Sequence, residues 1–227
     1  DYQRINNVVA HEEVAGKSGF TGIDTFKRVE ATGYAFNGGY TGEVISATSN
    51  GSGFYMAEEL ITAIYHRFVI FEPKFRDIGT GAATNASGYT YFTANFTANN
   101  TIGAGIGRGA LVTWPTSNQT LVPINFFSDN EQPDPVPTVN VNEVGYPLSV
   151  HADIGSMVEV DSFTVRPRGG NDLNVKLLTQ RNDVHTASSV AAIIPLAVLR
   201  SGTIYDVSFR GTVDGVAANR SWSFTTR

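Results

Sequence analysis

The chain of 227 residues contains no cysteine, which excludes a disulfide framework, a thiolate zinc site and a cysteine nucleophile. Charged residues are also scarce: they make up 16% of the chain, whereas globular proteins carry about 25%. The 16 basic residues are outnumbered by 21 acidic ones, so a nucleic-acid surface built on excess positive charge is excluded. No apolar run of about 18 residues occurs, and we therefore expect a chain that does not span a membrane.

Threonine, asparagine, serine and glycine take the place of charge on the surface, with 23 glycines in the chain. Disorder is excluded because 41% of the residues are hydrophobic and 11% are aromatic. This composition is typical of extracellular β-rich proteins. We therefore expect a bacterial protein that is secreted, periplasmic or exposed on the cell surface.

A proline-rich segment at residues 133–137 divides the sequence into two regions. Alternating prolines favour an extended, semi-rigid linker, so we expect one domain at 1–132 and another at 138–227. Apolar residues at helical spacing predict helices over Tyr2–Val14 and Ala57–Ile70 in the first region. Strand candidates follow them, which makes this region mixed α and β.

The second region shows strand patterning throughout. Tyr205, Val207 and Phe209 alternate with polar neighbours, and Asp214-Gly215 is a tight-hairpin signal. About seven short strands in about 90 residues are typical of an immunoglobulin-like (Ig-like) sandwich. The stretch from Leu199 to Tyr205 is similar to bacterial Ig-like and fibronectin-type modules. That resemblance implies a tyrosine hydroxyl tied back to the preceding loop, in a module that acts as a spacer or adhesion surface.

Two of the four histidines, His11 and His66, lie on the predicted helices of the first region. Glu59 is seven residues before His66, so a helix would place both on one face about two turns apart. Helical metal ligands normally sit at three or four residues' spacing, and an HExxH motif is absent. The spacing alone leaves open a metal or catalytic role and a hydrogen-bonded structural role.

The order of short motifs in the first region resembles bacterial members of the CAP superfamily (cysteine-rich secretory proteins, antigen 5 and pathogenesis-related proteins). The motifs are His11-Glu12-Glu13, Gly19-Phe20-Thr21-Gly22, Arg28, Gly33-Tyr34, Gly42-Glu43-Val44-Ile45, Tyr65-His66-Arg67 and Ile78-Gly79-Thr80-Gly81. The resemblance implies a three-layer α-β-α sandwich with a central cleft. The expected fold class is therefore α+β, a CAP-like α-β-α sandwich followed by an all-β Ig-like sandwich. The family has a further helix before its first histidine, so we expect the chain to begin inside the domain, after trimming or processing.

The resemblance also implies a cleft formed by His11, Glu43 and His66. For the family's second acidic residue, Glu59 is a better candidate than Glu58. Two imidazoles and a carboxylate suit zinc or another divalent metal, and they suit a hydrogen-bonded network equally well.

We therefore expect a cleft that binds a divalent metal or a small ligand, including a lipid or sterol. The Ig-like module would then serve as a spacer or adhesion module toward a protein or cell-surface partner. Two alternatives remain at this point: a metal-dependent extracellular hydrolase that uses the same cleft, and a purely structural or adhesive protein. Whether the protein is an enzyme is left open.

Overall fold

The computed structural model describes residues 1–36, 39–99, 105–137 and 142–227. The chain divides into two compact units, of which the first comprises Asp1–Ile61 and Lys74–Gly105 and the second Thr62–Pro73 and Ile106–Arg227. This division does not coincide with the boundary predicted at residues 133–137. Residues 138–141, where the predicted second domain begins, lie outside the described residues.

In its described residues, the first unit contains short helices and a three-stranded antiparallel sheet in the order β1-β3-β2. The elements are α1 (Tyr2–Asn6), α2 (Thr25–Ala31), β1 (Gly39–Thr48), α3 (Gly53–Thr62, whose last residue belongs to the second unit), β2 (Asp77–Thr84) and β3 (Thr90–Asn99). The register runs without a shift on both sides of β3. Residues two apart on a strand share a face, so this register fixes which side chains of the three strands are neighbours.

The expectation of a helix-rich α-β-α sandwich for residues 1–132 is wrong, because the chain is 39% strand and only 15% helix. The helix predicted over Tyr2–Val14 ends at Asn6. Asn7 then adopts left-handed backbone angles of φ 52 and ψ 48, which stop a right-handed helix. The Gln3 side chain bonds both the N–H and the carbonyl of Ala10, and holds the chain in the turn that follows.

The helix predicted over Ala57–Ile70 is interrupted at Ala63, whose backbone is extended with ψ 119. The N–H groups of the next three residues donate to the carboxylate of Glu131 instead of to carbonyls one turn earlier. Periodicity alone did not reveal this break, because its cause lies more than sixty residues away in the sequence. The second helix, α4, runs over Ile64–Ile70 and belongs to the second unit.

The second unit is built mainly from strands. They are β4 (Val112–Trp114), β5 (Gln119–Val122), β6 (Asn125–Phe127), β7 (Glu143–Gly145), β8 (Leu148–His151), β9 (Val158–Pro167), β10 (Val175–Leu178), β11 (Val190–Pro195), β12 (Ile204–Val213), β13 (Val216–Ala217) and β14 (Arg220–Thr226). A short 3₁₀ turn over Ser128–Asn130 follows β6. Past residue 142 the described chain consists of strands and their connections.

The strands of the second unit form two main sheets around one core. One sheet has the order β10-β11-β8-β4. In the other, β12 pairs with β9 on one side and β14 on the other, and β5 runs parallel to β14. Side chains from both sheets make the larger apolar cluster, including Leu148, Ile193, Phe209 and Phe224.

The opposite face of β11 is also buried. Its alternate residues Val190, Ala192 and Ile194 pack in a second cluster with Ile64 of α4 and with Val136. Both faces of β11 are therefore covered, which accounts for its continuous apolar sequence. Val136 is 3% exposed, so the proline-rich segment expected to be a linker packs here as part of the second unit.

Candidate functional site

The register of the first unit's sheet aligns Glu43, Asn95 and Gly79 in one row across β1, β3 and β2. The row next to it on the same face contains Thr93 and Gly81. Paired residues of an antiparallel ladder lie about 5 Å apart. This face therefore brings a carboxylate, an amide and two positions without side chains close together.

Glu43 is the buried charge at the centre of this face, with its side chain only 3% exposed. Its Oε2 accepts a hydrogen bond from Nη2 of Arg28 at 2.7 Å, and its Oε1 lies 2.9 Å from Nδ1 of His11. Arg28 also donates from Nη1 to the carbonyl of His11 at 2.8 Å. The guanidinium thus fixes both the carboxylate and the segment that carries the imidazole.

Helix α2 sets the position of Arg28 on the first unit. The helix begins after Asp24, whose side chain accepts the N–H of Lys27 at 2.8 Å. This N-cap satisfies one of the free donors at the start of the helix. Arg28 lies one turn into the helix, with its side chain 12% exposed.

The contact with Glu43 determines which nitrogen of His11 is free. An ionised carboxylate only accepts hydrogen bonds, so Nδ1 of His11 carries the proton and donates it. In the neutral ring Nε2 is then the nitrogen with a free lone pair. The ring is 59% exposed, so Nε2 is open to bind a metal or accept a proton.

A pocket of about 500 Å³ lies on the same face of the sheet. Tyr34 lines this pocket. Its hydroxyl donates a hydrogen bond to Oδ2 of Asp77 at 2.5 Å and accepts one from Oγ1 of Thr97 at 3.2 Å. The bond to Asp77 is the main reason why the pKa of Tyr34 is raised above 10. Oδ1 of Asn95, which also lines the pocket, is buried and has no hydrogen-bond partner among the described residues.

Glu13 is a second buried carboxylate that lines this pocket, and its hydrogen bonds give it a structural role. It accepts the backbone N–H groups of Thr21 and Gly22 at 2.6 and 3.3 Å. These bonds close the loop that precedes α2. The two buried carboxylates of the pocket lining thus differ: Glu13 is bound by the loop at Thr21 and Gly22, and Glu43 by the side chains of Arg28 and His11.

Of the four site residues expected from the sequence, the structure brings His11 and Glu43 together. Glu59 does not join that pair. Its Oε2 instead accepts a hydrogen bond from Oγ of Ser46 at 2.7 Å. Ser46 is three residues beyond Glu43 on β1, so its side chain lies on the opposite face of the sheet. Glu59 is therefore placed away from the Glu43 pocket.

His66 belongs to the second unit. Its Nδ1 lies 2.9 Å from Oε1 of Glu131, and its ring is 24% exposed. The two histidines thus have separate buried glutamate partners. Within the described ranges no group of three or more His, Asp or Glu side chains is arranged to hold a metal ion.

Nothing in the sequence singled out Asp77 or Asn95, and Tyr34 was noted only within the Gly33-Tyr34 motif. They lie on separate elements, and no local spacing connects them with Glu43. Arg28 was part of the ordered motif set, but the sequence showed nothing of its contact with the carboxylate. The alternation of β3 was the available signal, since it places Thr93, Asn95 and Thr97 on one face.

Comparison of the chain with protein-family models, with curated proteins and with solved structures finds no match. In the residues that the structure describes, none of the helices is both long and apolar enough to cross a membrane.

Proposed function

We propose that this protein is a binding protein whose first unit takes a small cationic ligand in the Glu43 pocket. The observation that carries the proposal is a buried carboxylate, held by Arg28 and His11, beside a pocket of about 500 Å³. Such a volume is within the range of small-molecule sites. The ligand would lie over the row that joins Glu43, Asn95 and Gly79.

The charges around the pocket favour a cation. The acidic and basic side chains of its lining are Asp1, Glu13, Glu43, Asp77 and Arg28. Four carboxylates against one guanidinium make the local side-chain charge negative, which attracts positive groups and repels anions. The buried, unpartnered acceptor of Asn95 likewise favours a ligand that donates hydrogen bonds.

A divalent metal is a second candidate ligand, and the geometry of His11 supports it. Metal-binding histidines commonly donate their other ring N–H to a carboxylate, as Nδ1 does here to Glu43. In that arrangement Nε2 of His11 would be the ligand, and Glu43 would orient the ring without touching the metal. Zinc is the ion that we would test first, since imidazole suits it.

For the second unit we propose an Ig-like spacer or adhesion module in a protein that acts outside the cytoplasm. Its two sheets, β10-β11-β8-β4 and β9-β12-β14-β5, follow the strand order of an Ig-type sandwich with a split first strand. The hydroxyl of Tyr205 accepts the N–H of Arg200 at 2.8 Å, as expected for a tyrosine corner.

Calorimetric titration tests the proposal, with Zn²⁺ and N-acetyl-L-arginine methylamide as separate probes. We expect the arginine probe to bind the parent protein about ten-fold more tightly than it binds Asp77→Asn, because one pocket charge is removed. Zinc binding should disappear in His11→Ala. Asp172→Asn, an exposed carboxylate of the second unit, is the matched control and should bind both probes like the parent.

The two probes separate the two candidate ligands. If only zinc binds, and its binding is lost in His11→Ala, the ligand of the first unit is a metal ion and not an organic cation. Failure of both probes to bind the parent would overturn the proposed function. Circular dichroism of each variant establishes that the fold is retained.

A further inference from the structure

Strand β2 is an unusually open edge of the first unit's sheet. Among the described residues it pairs only with β3, over eight residues and without a register shift. All of these residues are exposed except Ala83, which is partly buried. Edge strands are normally guarded by lysine, proline or a bulge. Other charged side chains can guard an edge as well, but β2, with the sequence DIGTGAAT, has only Asp77 at its first position and no lysine, proline or bulge.

Two glycines within β2 have no explanation in the fold of the unit itself. Neither Gly79 nor Gly81 has a positive φ, and a Cβ at either position would meet no atom within 4 Å. Glycine weakens a strand, so neither packing nor backbone conformation requires it here. Glycine inside a strand often marks a place where a ligand or another backbone approaches closely.

Both glycines lie on the face of the sheet that carries the Glu43 pocket. Gly79 is paired with Asn95, and both glycines line the pocket. The pocket therefore opens directly beside the free edge of β2. A strand added to that edge would direct every second side chain toward the pocket face.

The composition of the pocket fits the side chain of arginine or lysine. Val29 and Ala31 supply carbon surface for an aliphatic stem, and Asp77 and Glu43 supply the negative charge. Long cationic side chains bury their stems against apolar atoms while the charged end finds polar partners. The lining thus matches both parts of such a side chain.

We propose that the first unit binds an extended basic peptide, which adds to the edge of β2 and inserts an arginine or lysine side chain into the Glu43 pocket. In this mode of recognition, backbone hydrogen bonds provide affinity and side-chain pockets provide specificity. The proposal rests on the proposed function, since it names the source of the cation that the pocket takes.

The test selects peptides from a phage-displayed library of random octapeptides on the intact protein. The best enriched peptide is then synthesised, together with a copy N-methylated at alternate residues. We expect the enriched peptides to be basic. N-methylation should weaken binding about ten-fold, because it removes the backbone donors that pair with β2.

The glycines provide the sharpest variants. In Gly79→Val/Gly81→Val two branched side chains fill the open space beside the pocket, and we expect peptide binding to fall about ten-fold. The unfolding midpoint in urea should stay equal or rise, since valine favours strands more than glycine does. The matched control is Ala82→Val, on the opposite face of the same strand, which should bind the peptide like the parent.

Each outcome decides between the two proposals. If N-acetyl-L-arginine methylamide binds but no basic peptide is enriched, the peptide proposal is wrong, while the proposal of cation binding in the Glu43 pocket stands. Equal binding of the N-methylated peptide, or of the double valine variant, also overturns it. A dimer of the parent in sedimentation, lost in the double valine variant, would make a second copy of the chain the occupant and overturn the peptide.

Discussion

Acid should destabilise the second unit through His151, which is fully buried. The rings of Phe68 and Phe71 contact it edge-on, with centroids 5.9 and 5.7 Å away. Its Nε2 lies 2.9 Å from Oγ of Ser149, and its Nδ1 has no hydrogen-bond partner among the described residues. A proton added to this ring would create a buried charge with little to stabilise it.

Burial, and secondarily the charge of Arg67, lowers the pKa of His151 from 6.5 to about 3. The unfolded chain therefore binds a proton near pH 6.5 that the folded chain refuses until about pH 3. The contribution of His151 to stability is complete above the unfolded pKa and falls as the pH drops through this window. At about pH 4.5 the loss is about 2.7 kcal/mol, from about two pH units at 1.36 kcal/mol each.

Urea unfolding at a series of pH values from about 7.5 to about 4.5 measures this loss, in the parent protein and in His151→Gln. The parent should lose about 2.7 kcal/mol more than the variant over this range. His185→Gln removes an exposed histidine and should behave like the parent. Equal slopes for the parent and His151→Gln would refute the reasoning, whatever the absolute stability of the variant.

Three further substitutions test individual contacts by urea unfolding. Glu131→Gln should destabilise the protein by about 3 kcal/mol, because three backbone N–H groups at the start of α4 lose a charged acceptor. His66→Ala loses one bond to that carboxylate and should cost about 1 kcal/mol. Equal effects of the two substitutions would argue against the role of Glu131 as acceptor for the start of α4. Tyr205→Phe should cost about 1.5 kcal/mol by leaving the N–H of Arg200 without its acceptor; no measurable change would show that water replaces the hydroxyl. Arg28→Met should cost about 3 kcal/mol because a buried carboxylate loses its cation; an unchanged stability would refute this role of the Arg28 guanidinium.

Local patterns predicted strand structure for residues 138–227, and the described part of that region consists of strands and their connections. The alternation of Tyr205, Val207 and Phe209 predicted a strand, and β12 confirms it. Asp214-Gly215 predicted a tight turn, and both residues have positive φ values, of 54 and 75, between β12 and β13. Strand periodicity and turn chemistry are carried by neighbouring residues, so a single sequence contains this information.

Those local patterns could not predict which distant segments of the chain pack against each other. The strand patterning of the second region extends over the apolar sequence of β11, but it did not show that α4 and Val136 would cover the second face of this strand. Prolines at 133–137 favour an extended chain, and extended chain serves equally well in a linker and in a packed segment. Only the long-range contact decides between them.

The two histidine–glutamate pairs show why residue types alone did not define the site. His11 lies 32 residues from Glu43 in the sequence, and His66 lies 65 residues from Glu131. Nothing near either histidine identifies its partner, and the sequence grouped both with Glu43. The geometry at Nδ1 is the same in the two pairs, at 2.9 Å.

The two pairs differ in the other hydrogen bonds that each glutamate accepts. Glu131 accepts three backbone N–H groups at the start of α4, so the fold itself requires it. Glu43 accepts, among the described residues, only from the side chains of Arg28 and His11. Buried ion pairs can often be replaced by apolar residues without loss of stability. The fold therefore requires Glu131 as an acceptor, whereas apolar residues could replace the Glu43 ion pair, and the proposed binding of a cation in the adjoining pocket would be a reason to retain the carboxylate.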